Sequence, residues 1–186
     1  MRKVINSTYV SLDGVVSNPQ EWTFQFRDDT ANQFAFEQLM ASDALLMGRR
    51  TYEAFAAVWP TMKDEAGFAT KMNSMPKHVA SRTLKETTWN ATVIQGDLAE
   101  AVDRLKREPG QDILQYGYGP VTGTLIEHGL LDELRLWLHP ILVGRGAVDD
   151  LLIGPRATTT LELVDLKRYD SGLLILTYQP MARSDS

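Results

Sequence analysis

The sequence predicts an α/β fold: one mixed sheet of about eight strands flanked by helices, parallel at first and finished by an antiparallel C-terminal hairpin. Three observations carry this. Short β-branched apolar runs alternate with amphipathic helical stretches through the first part of the chain. Strand–turn–helix passages occur at Gly48 to Thr51 and again at Gly117 to Pro120. From Glu133 onward the pattern is β throughout, with Asp170-Ser171-Gly172 as a hairpin turn.

Val4 to Val10 mixes β-branched and aromatic residues with polar ones and reads as a strand, closed by Ser11-Leu12-Asp13-Gly14. A loop follows. Thr30 to Ala41 places Phe34, Leu39 and Met40 near the helical period, so it is an amphipathic helix. Ala44 to Met47 is a buried strand that enters, through Gly48-Arg49-Arg50-Thr51, a helix carrying Tyr52, Phe55, Ala56 and Trp59 and stopped by Pro60. Lys77 to Ser81 and Thr92 to Gln95 are short strands. Asp97 caps a helix reaching Glu108, with Pro109-Gly110 beyond its end. Ile113 to Tyr116 is a strand leading through Gly117-Tyr118-Gly119-Pro120 into a helix over Val121 to His128, ended by Gly129. Leu134 to Val143, Thr159 to Leu166 and Leu173 to Gln179 make an antiparallel C-terminal third. No linker divides the chain, which gives one domain over residues 1–181 and a disorder-prone tail at 182–186.

At 186 residues and 44% hydrophobic content, one domain can hold a full core. A net charge of −5 provides no basic surplus to neutralise a phosphate backbone, so nucleic acid is not an expected partner. The absence of cysteine removes disulfides, thiolate zinc sites and cysteine nucleophiles together, and fits a reducing, cytoplasmic setting. The stretch Met1 to Ser7 is too short and polar for a secretory segment, and no run is long enough to span a membrane. His78, His128 and His139 share no ligand spacing, so no metal site is expected. His139, in an apolar run before Pro140, reads as a hydrogen-bonded or edge residue, and Asp132-Glu133 as turn chemistry. No Gly-x-Ser-x-Gly elbow or Walker sequence supports a hydrolase or a nucleoside triphosphatase.

A turn from strand to helix is a natural anion site, because the helix offers free N–H groups and about half a positive charge. At the first such turn Gly48 permits close approach, Arg49 and Arg50 add charge, and Thr51 adds a hydroxyl. An ordinary turn with two solvated arginines fits the same residues. At the second, Gly117 and Gly119 permit unusual dihedrals and Pro120 suits the first helical position. Its spacing, Gly117-x-Gly119-x-x-x-Gly123, is one residue too long for a Rossmann fingerprint and comes late in the chain. Ser81-Arg82-Thr83 is a third candidate, suited to a phosphate monoester. All three lie at carboxyl ends of early strands, where open α/β sheets bind ligands.

These pieces, together with Ser11-Leu12-Asp13-Gly14, Leu45 to Glu53, Val79 to Arg82 and Gly129-Leu130-Leu131-Asp132-Glu133-Leu134, resemble the dihydrofolate-reductase-like family. The closest likeness is to its branch holding the reductase domain of bacterial riboflavin biosynthesis and stand-alone relatives. The resemblance covers nearly the whole chain. It implies an NADPH-dependent oxidoreductase that passes hydride to a small pyrimidine- or pterin-type heterocycle. It implies that Arg49, Ser81 and Arg82 surround the adenosine 2′-phosphate, and that Gly48, Arg50, Thr51, Gly117, Tyr118, Gly119, Val121 and Thr122 face the pyrophosphate. It further implies that the loop with Asp13 and Val16 lies over the nicotinamide, and that Trp22, Asn32 and Phe36 line the cavity for the hydride acceptor. Trp22 fits a core plug equally well.

Three departures bear on the substrate. The pterin-binding carboxylate of true dihydrofolate reductases falls at Asn32, with Asp28 and Asp29 nearby. Val15 stands where the riboflavin reductases commonly carry a basic residue, and Tyr118 replaces the second glycine of the family's pyrophosphate turn. Asp13 and Asp29 are the candidate acids, with ordered water as the other proton source. A non-catalytic NADP-binding module and a true dihydrofolate reductase are the competing readings. A homodimer is expected through an apolar face around Leu134, Leu136, Trp137 and Leu138.

Overall fold

The computed structural model describes residues 1–144, 150–152 and 158–181; the tail at 182–186 lies outside the described residues. The strands are β1 (Val4–Ser11), β2 (Ser42–Gly48), β3 (Lys77–Ala80), β4 (Ala91–Val93), β5 (Asp112–Tyr116), β6 (Glu133–His139), β7 (Leu161–Arg168) and β8 (Leu174–Pro180). Helices are α1 (Asp29–Met40), α2 (Arg49–Val58), α3 (Phe68–Ser74), α4 (Leu98–Arg107) and α5 (Pro120–Glu127). The strands form one sheet in the order β4-β3-β2-β5-β1-β6-β8-β7. Every pairing among β1 to β6 is parallel, whereas β8 runs antiparallel to both β6 and β7. The expected mixed sheet with a C-terminal hairpin is therefore the fold found. The C-terminal third is not wholly antiparallel, because β6 pairs in parallel with β1 from Ile5↔Glu133 to Ser11↔His139.

Side chains alternate across the sheet and feed two layers of helices. One face sends Val4, Ala44, Leu46, Ile113 and Leu134 against Val102, Leu105, Leu125 and Ile126 of α4 and α5. The opposite face sends Ile5, Leu45, Met47, Val79 and Leu114 against Leu39, Tyr52 and Met72 of α1, α2 and α3. Farther along, Trp137 and Ile175 pack under Ala31 of α1. Each such aliphatic side chain contributes about 1.5–3 kcal/mol by leaving water. The last helix-to-strand junction is tied by Asp132, whose Oδ2 accepts from Val4 N at 2.7 Å and from buried Lys106 Nζ at 2.5 Å. That is the turn role expected of Asp132.

Several boundaries differ from expectation for local reasons. α3 falls in a stretch for which no element was expected: it is seven residues long, follows Gly67 with φ +89°, and takes its cap from Asp64, whose carboxylate accepts from Gly67 N and Ala69 N. β6 stops at His139 rather than Val143, because Pro140 has no N–H to continue the ladder. Of the apolar face expected at Leu134, Leu136, Trp137 and Leu138, Leu134 and Trp137 are buried within the chain and Leu136 and Leu138 half-buried, while Leu163, Val164 and Leu166 are exposed on edge strand β7. No helix among the described residues is long and apolar enough to cross a membrane.

Candidate active site

The carboxyl ends of the parallel strands form one edge, and the turns there decide what the edge can hold. Helices α1 and α4 begin with aspartate caps: Asp28 accepts from Thr30 N and Ala31 N, and Asp97 from Glu100 N. Helices α2 and α5 begin at Gly48 and Gly119 with no side-chain cap. The dipoles of these two helices therefore lie at the sheet edge without a side-chain cap from their N-cap residues.

The two uncapped starts are packed against each other. A Cβ added to Gly48 would lie 3.5 Å from Val121 Cγ2, and one added to Gly117 would lie 2.5 Å from Thr51 Oγ1. Gly117 also needs its φ of +81°, which disfavours any side chain. In front of Gly119 a Cβ would meet nothing within 4 Å, so the backbone there is open to a ligand. All described peptide bonds are trans.

Beside these turns lies the third candidate. Arg49 Nε bonds Glu53 Oε1 at 2.7 Å, and its Nη1 donates to Thr83 Oγ1 at 2.6 Å, which draws the β3 turn to the start of α2. Ser81 Oγ accepts from Thr83 N and Leu84 N, folding that turn and leaving its O–H to donate outward. Arg82 and Arg50 are exposed on the same edge. Arg49, Ser81, Arg82 and Thr83 thus form one polar cluster.

Thr122 and Val121 take different positions from those expected. Thr122 is fully buried, and its hydroxyl accepts from Gln115 Nε2 at 2.9 Å and lies 3.5 Å from Asn6 Nδ2. Asn6 Nδ2 also donates to Gly117 O at 2.8 Å. Thr122 therefore holds the turn from beneath instead of facing a ligand, and Val121 lines it by packing on Gly48. Tyr118 is half-buried against the α4–α5 layer.

The loop after β1 is pinned rather than loose. The Asp13 carboxylate accepts from Ser11 Oγ at 2.5 Å, Val143 N at 3.1 Å and Gly144 N at 2.8 Å. The Ser11 hydroxyl, with the two backbone N–H groups, holds the Asp13 pKa down at about 2. At neutral pH it is an anion tying two loops together, which does not suit the proton-donor role expected of it. Val16 N bonds Asp150 O, and Val15, which is buried, bridges to Leu151.

Of the expected acceptor-site residues, Asn32 and Phe36 come together and Trp22 does not join them. Asp29, Asn32, Gln33 and Phe36 form one stripe of α1 and, with Ala66 and Phe68, line a cleft of about 320 Å³. Asp29 stands one turn before Asn32 at that cleft. Trp22 is a core plug: it is 6% exposed, its ring meets His139 edge-on at 5.4 Å, and its Nε1 donates to Ser17 O. His139 is buried, with Nδ1 2.8 Å from Trp137 O, as a hydrogen-bonded strand residue should be, and burial lowers its pKa. Among the described residues no group of acidic and imidazole side chains is arranged to hold a metal.

Sequence reasoning missed Tyr9 and Tyr116. Both lie at carboxyl ends, on the α1–α2 face of adjacent strands, where Ser7 pairs with Tyr116 and Tyr9 follows two residues on. Period-two alternation from Ser7 was the available signal.

The strand order and the two interlocked turns at its carboxyl edge define a dihydrofolate-reductase-like protein. The RibD C-terminal domain family model matches residues 2–175, and the chain belongs to that family. It is 30% identical over 183 residues to the uncharacterized protein YyaP of Bacillus subtilis (strain 168), covering 95% of this chain and 94% of that one. A candidate riboflavin biosynthesis protein from Shewanella sp. PV-4 superposes with a TM-score of 0.75 at 21% identity, over 98% of this chain and 100% of that one. A pyrimidine reductase-like protein from Corynebacterium diphtheriae NCTC gives a TM-score of 0.69 at 16% identity, over 98% and 93%. These two structures bear out the fold.

Proposed function

We propose that this chain is an NADPH-dependent reductase acting on a small nitrogen heterocycle of the pyrimidine or pterin type, similar to 5-amino-6-(5-phosphoribosylamino)uracil reductase. The observation that carries this is the pair of uncapped helix starts, at Gly48 and Gly119, locked together at one sheet edge beside Arg49, Ser81, Arg82 and Thr83. Membership of the RibD C-terminal domain family, and likeness to a pyrimidine reductase-like structure, support the same reading.

The residues present fit a dinucleotide carrying an extra phosphate. The starts of α2 and α5 suit the pyrophosphate, since neither has a side-chain cap and Gly119 leaves space before its helix. The cluster of Arg49, Ser81 and Arg82 suits a 2′-phosphate through charge-assisted bonds. When bound, the nicotinamide supplies the hydride. The chain then contributes orientation of the acceptor over the sheet edge and exclusion of water. Asp13, anchoring loop 141–144 to the β1 loop, holds the walls in place. With Asp13 ionised, Asp29 or an ordered water at the α1 cleft remains to donate the proton.

Mixing the protein with NADPH and a panel of pterins and pyrimidines, and following the absorbance of the reduced nicotinamide, tests the reading. Oxidation with one acceptor class is the expected result. Tight NADPH binding with no oxidation across the panel would favour a non-catalytic NADP-binding module instead.

A further inference from the structure

Two phenol hydroxyls at the carboxyl edge are left without a use by the cofactor turns. The Tyr9 ring leans on β6, 5.3 Å from Trp137 and 5.1 Å from His139. The Tyr116 ring leans the other way, 5.5 Å from Phe55 of α2. They stand on neighbouring strands and on one face of the sheet, the face that packs against α1, α2 and α3. Neither hydroxyl has a hydrogen-bond partner among the described residues, and they do not bond each other.

Tyr9 keeps 37% of its surface accessible, yet its hydroxyl is surrounded well enough that desolvation raises its pKa. Desolvation raises Tyr116 further, and the nearby Tyr9 adds to it. Tyr9 is thus partly accessible and Tyr116 half-buried at that edge. Both groups are neutral phenols at physiological pH, each able to donate and to accept.

We propose that Tyr9 and Tyr116 are the specificity-determining pair for the hydride acceptor, their hydroxyls bonding the lactam edges of an uncharged planar heterocycle. This rests on the reductase reading. A lactam presents a C=O acceptor beside an N–H donor, and two phenols on neighbouring strands can satisfy both. The rings packed against the two phenols, buried Trp137 and His139 and half-buried Phe55, bring no formal charge to them, since burial lowers the His139 pKa. A charged ring would lose hydration there without gaining a counter-ion.

The test uses lumazine, a fluorescent pteridine-2,4-dione with two lactam units, at a mildly acidic pH that keeps it neutral. Its affinity is measured by fluorescence titration for the parent, Tyr9→Phe, Tyr116→Phe and the double variant, with NADPH titrated separately. Each phenylalanine keeps the ring packing, so the fold is retained. Each lost hydroxyl should weaken lumazine roughly three- to tenfold, the double variant more, with NADPH affinity unchanged. A double variant that binds lumazine as tightly as the parent overturns the pair. A parent that binds NADPH but not lumazine overturns this inference and leaves the reductase reading standing. A parent that ignores NADPH yet binds lumazine through both hydroxyls supports the pair and overturns the cofactor reading. Binding of neither overturns both.

Discussion

Thr51 occupies the space that a side chain on Gly117 would need: a Cβ there would lie 2.5 Å from Thr51 Oγ1. Thr51 lies in the first turn of α2 and Gly117 directly follows β5, so this contact locks the two helix starts together at one edge of the sheet. Gly117→Ala meets both this clash and a left-handed φ of +81°. Stability should fall by about 1–3 kcal/mol in urea unfolding, with NADPH affinity falling alongside. Adding Thr51→Ala should recover the steric part only, because the left-handed backbone still costs about 1–2 kcal/mol. A double variant no more stable than Gly117→Ala alone would show that the contact is slack.

Arg49 sets cofactor choice in the proposed reductase. Its guanidinium is held by Glu53 and Thr83 beside Ser81, so it is positioned before any ligand arrives. Arg49→Ala should cost about 1.5–3 kcal/mol of NADPH binding, the range for a charge-assisted bond, and leave NADH nearly unchanged. Calorimetric titration of both nucleotides checks this. Equal losses for the two would place Arg49 away from the 2′-phosphate.

Much of this site was legible because the fold's edge is built from local chemistry. Gly48, Gly117 and Pro120 announce strand–turn–helix passages by their backbone demands, and Asp97 announces a capped helix by contrast. Tertiary contacts were less legible. Thr122 reads as a turn hydroxyl until Asn6 and Gln115, distant in sequence, are seen beneath it. Asp13 reads as a free acid until Val143 and Gly144 return 130 and 131 residues later to bind it. Helix α3 is hidden because its cap, Asp64, stands three residues before Gly67.

Lys77 makes stability depend on pH. Its side chain is 1% exposed, with Nζ 3.0 Å from Asn73 O at the end of α3 and 4.1 Å from the centre of the Trp89 ring. Desolvation lowers its pKa to about 8 from 10.5. The folded value lies below the unfolded one, so between them the unfolded chain holds the extra proton and stability rises with pH. From about pH 7 to pH 9 the gain should be about 1.4 kcal/mol, one pKa unit of differential protonation. The raised values of Lys3 and Tyr116 act above this window, and the depressed Asp13 acts below it. Urea midpoints across that range should climb for the parent and stay flat for Lys77→Met; a flat parent would mean that water reaches the amine.

Dihydrofolate should be a poor acceptor even where NADPH binds well. A pterin is favoured by a carboxylate that accepts two hydrogen bonds and stabilises the protonated ring. In this chain Asn32 lines the α1 cleft, where an amide supplies neither the charge nor the second acceptor. Asp28 is no substitute, because its Oδ1 caps α1 by accepting from Thr30 N and Ala31 N. Asp29 is one turn away on the same stripe, which leaves it as the one carboxylate lining that cleft among the described residues. Asn32→Asp should therefore raise dihydrofolate turnover by roughly ten- to a hundredfold, corresponding to about 1.5–3 kcal/mol for a charged hydrogen bond. Steady-state rates for the parent, Asn32→Asp and Asp29→Asn decide it. Brisk parental turnover that disappears in Asp29→Asn would show that Asp29 already serves as the pterin carboxylate and that Asn32 only borders the site.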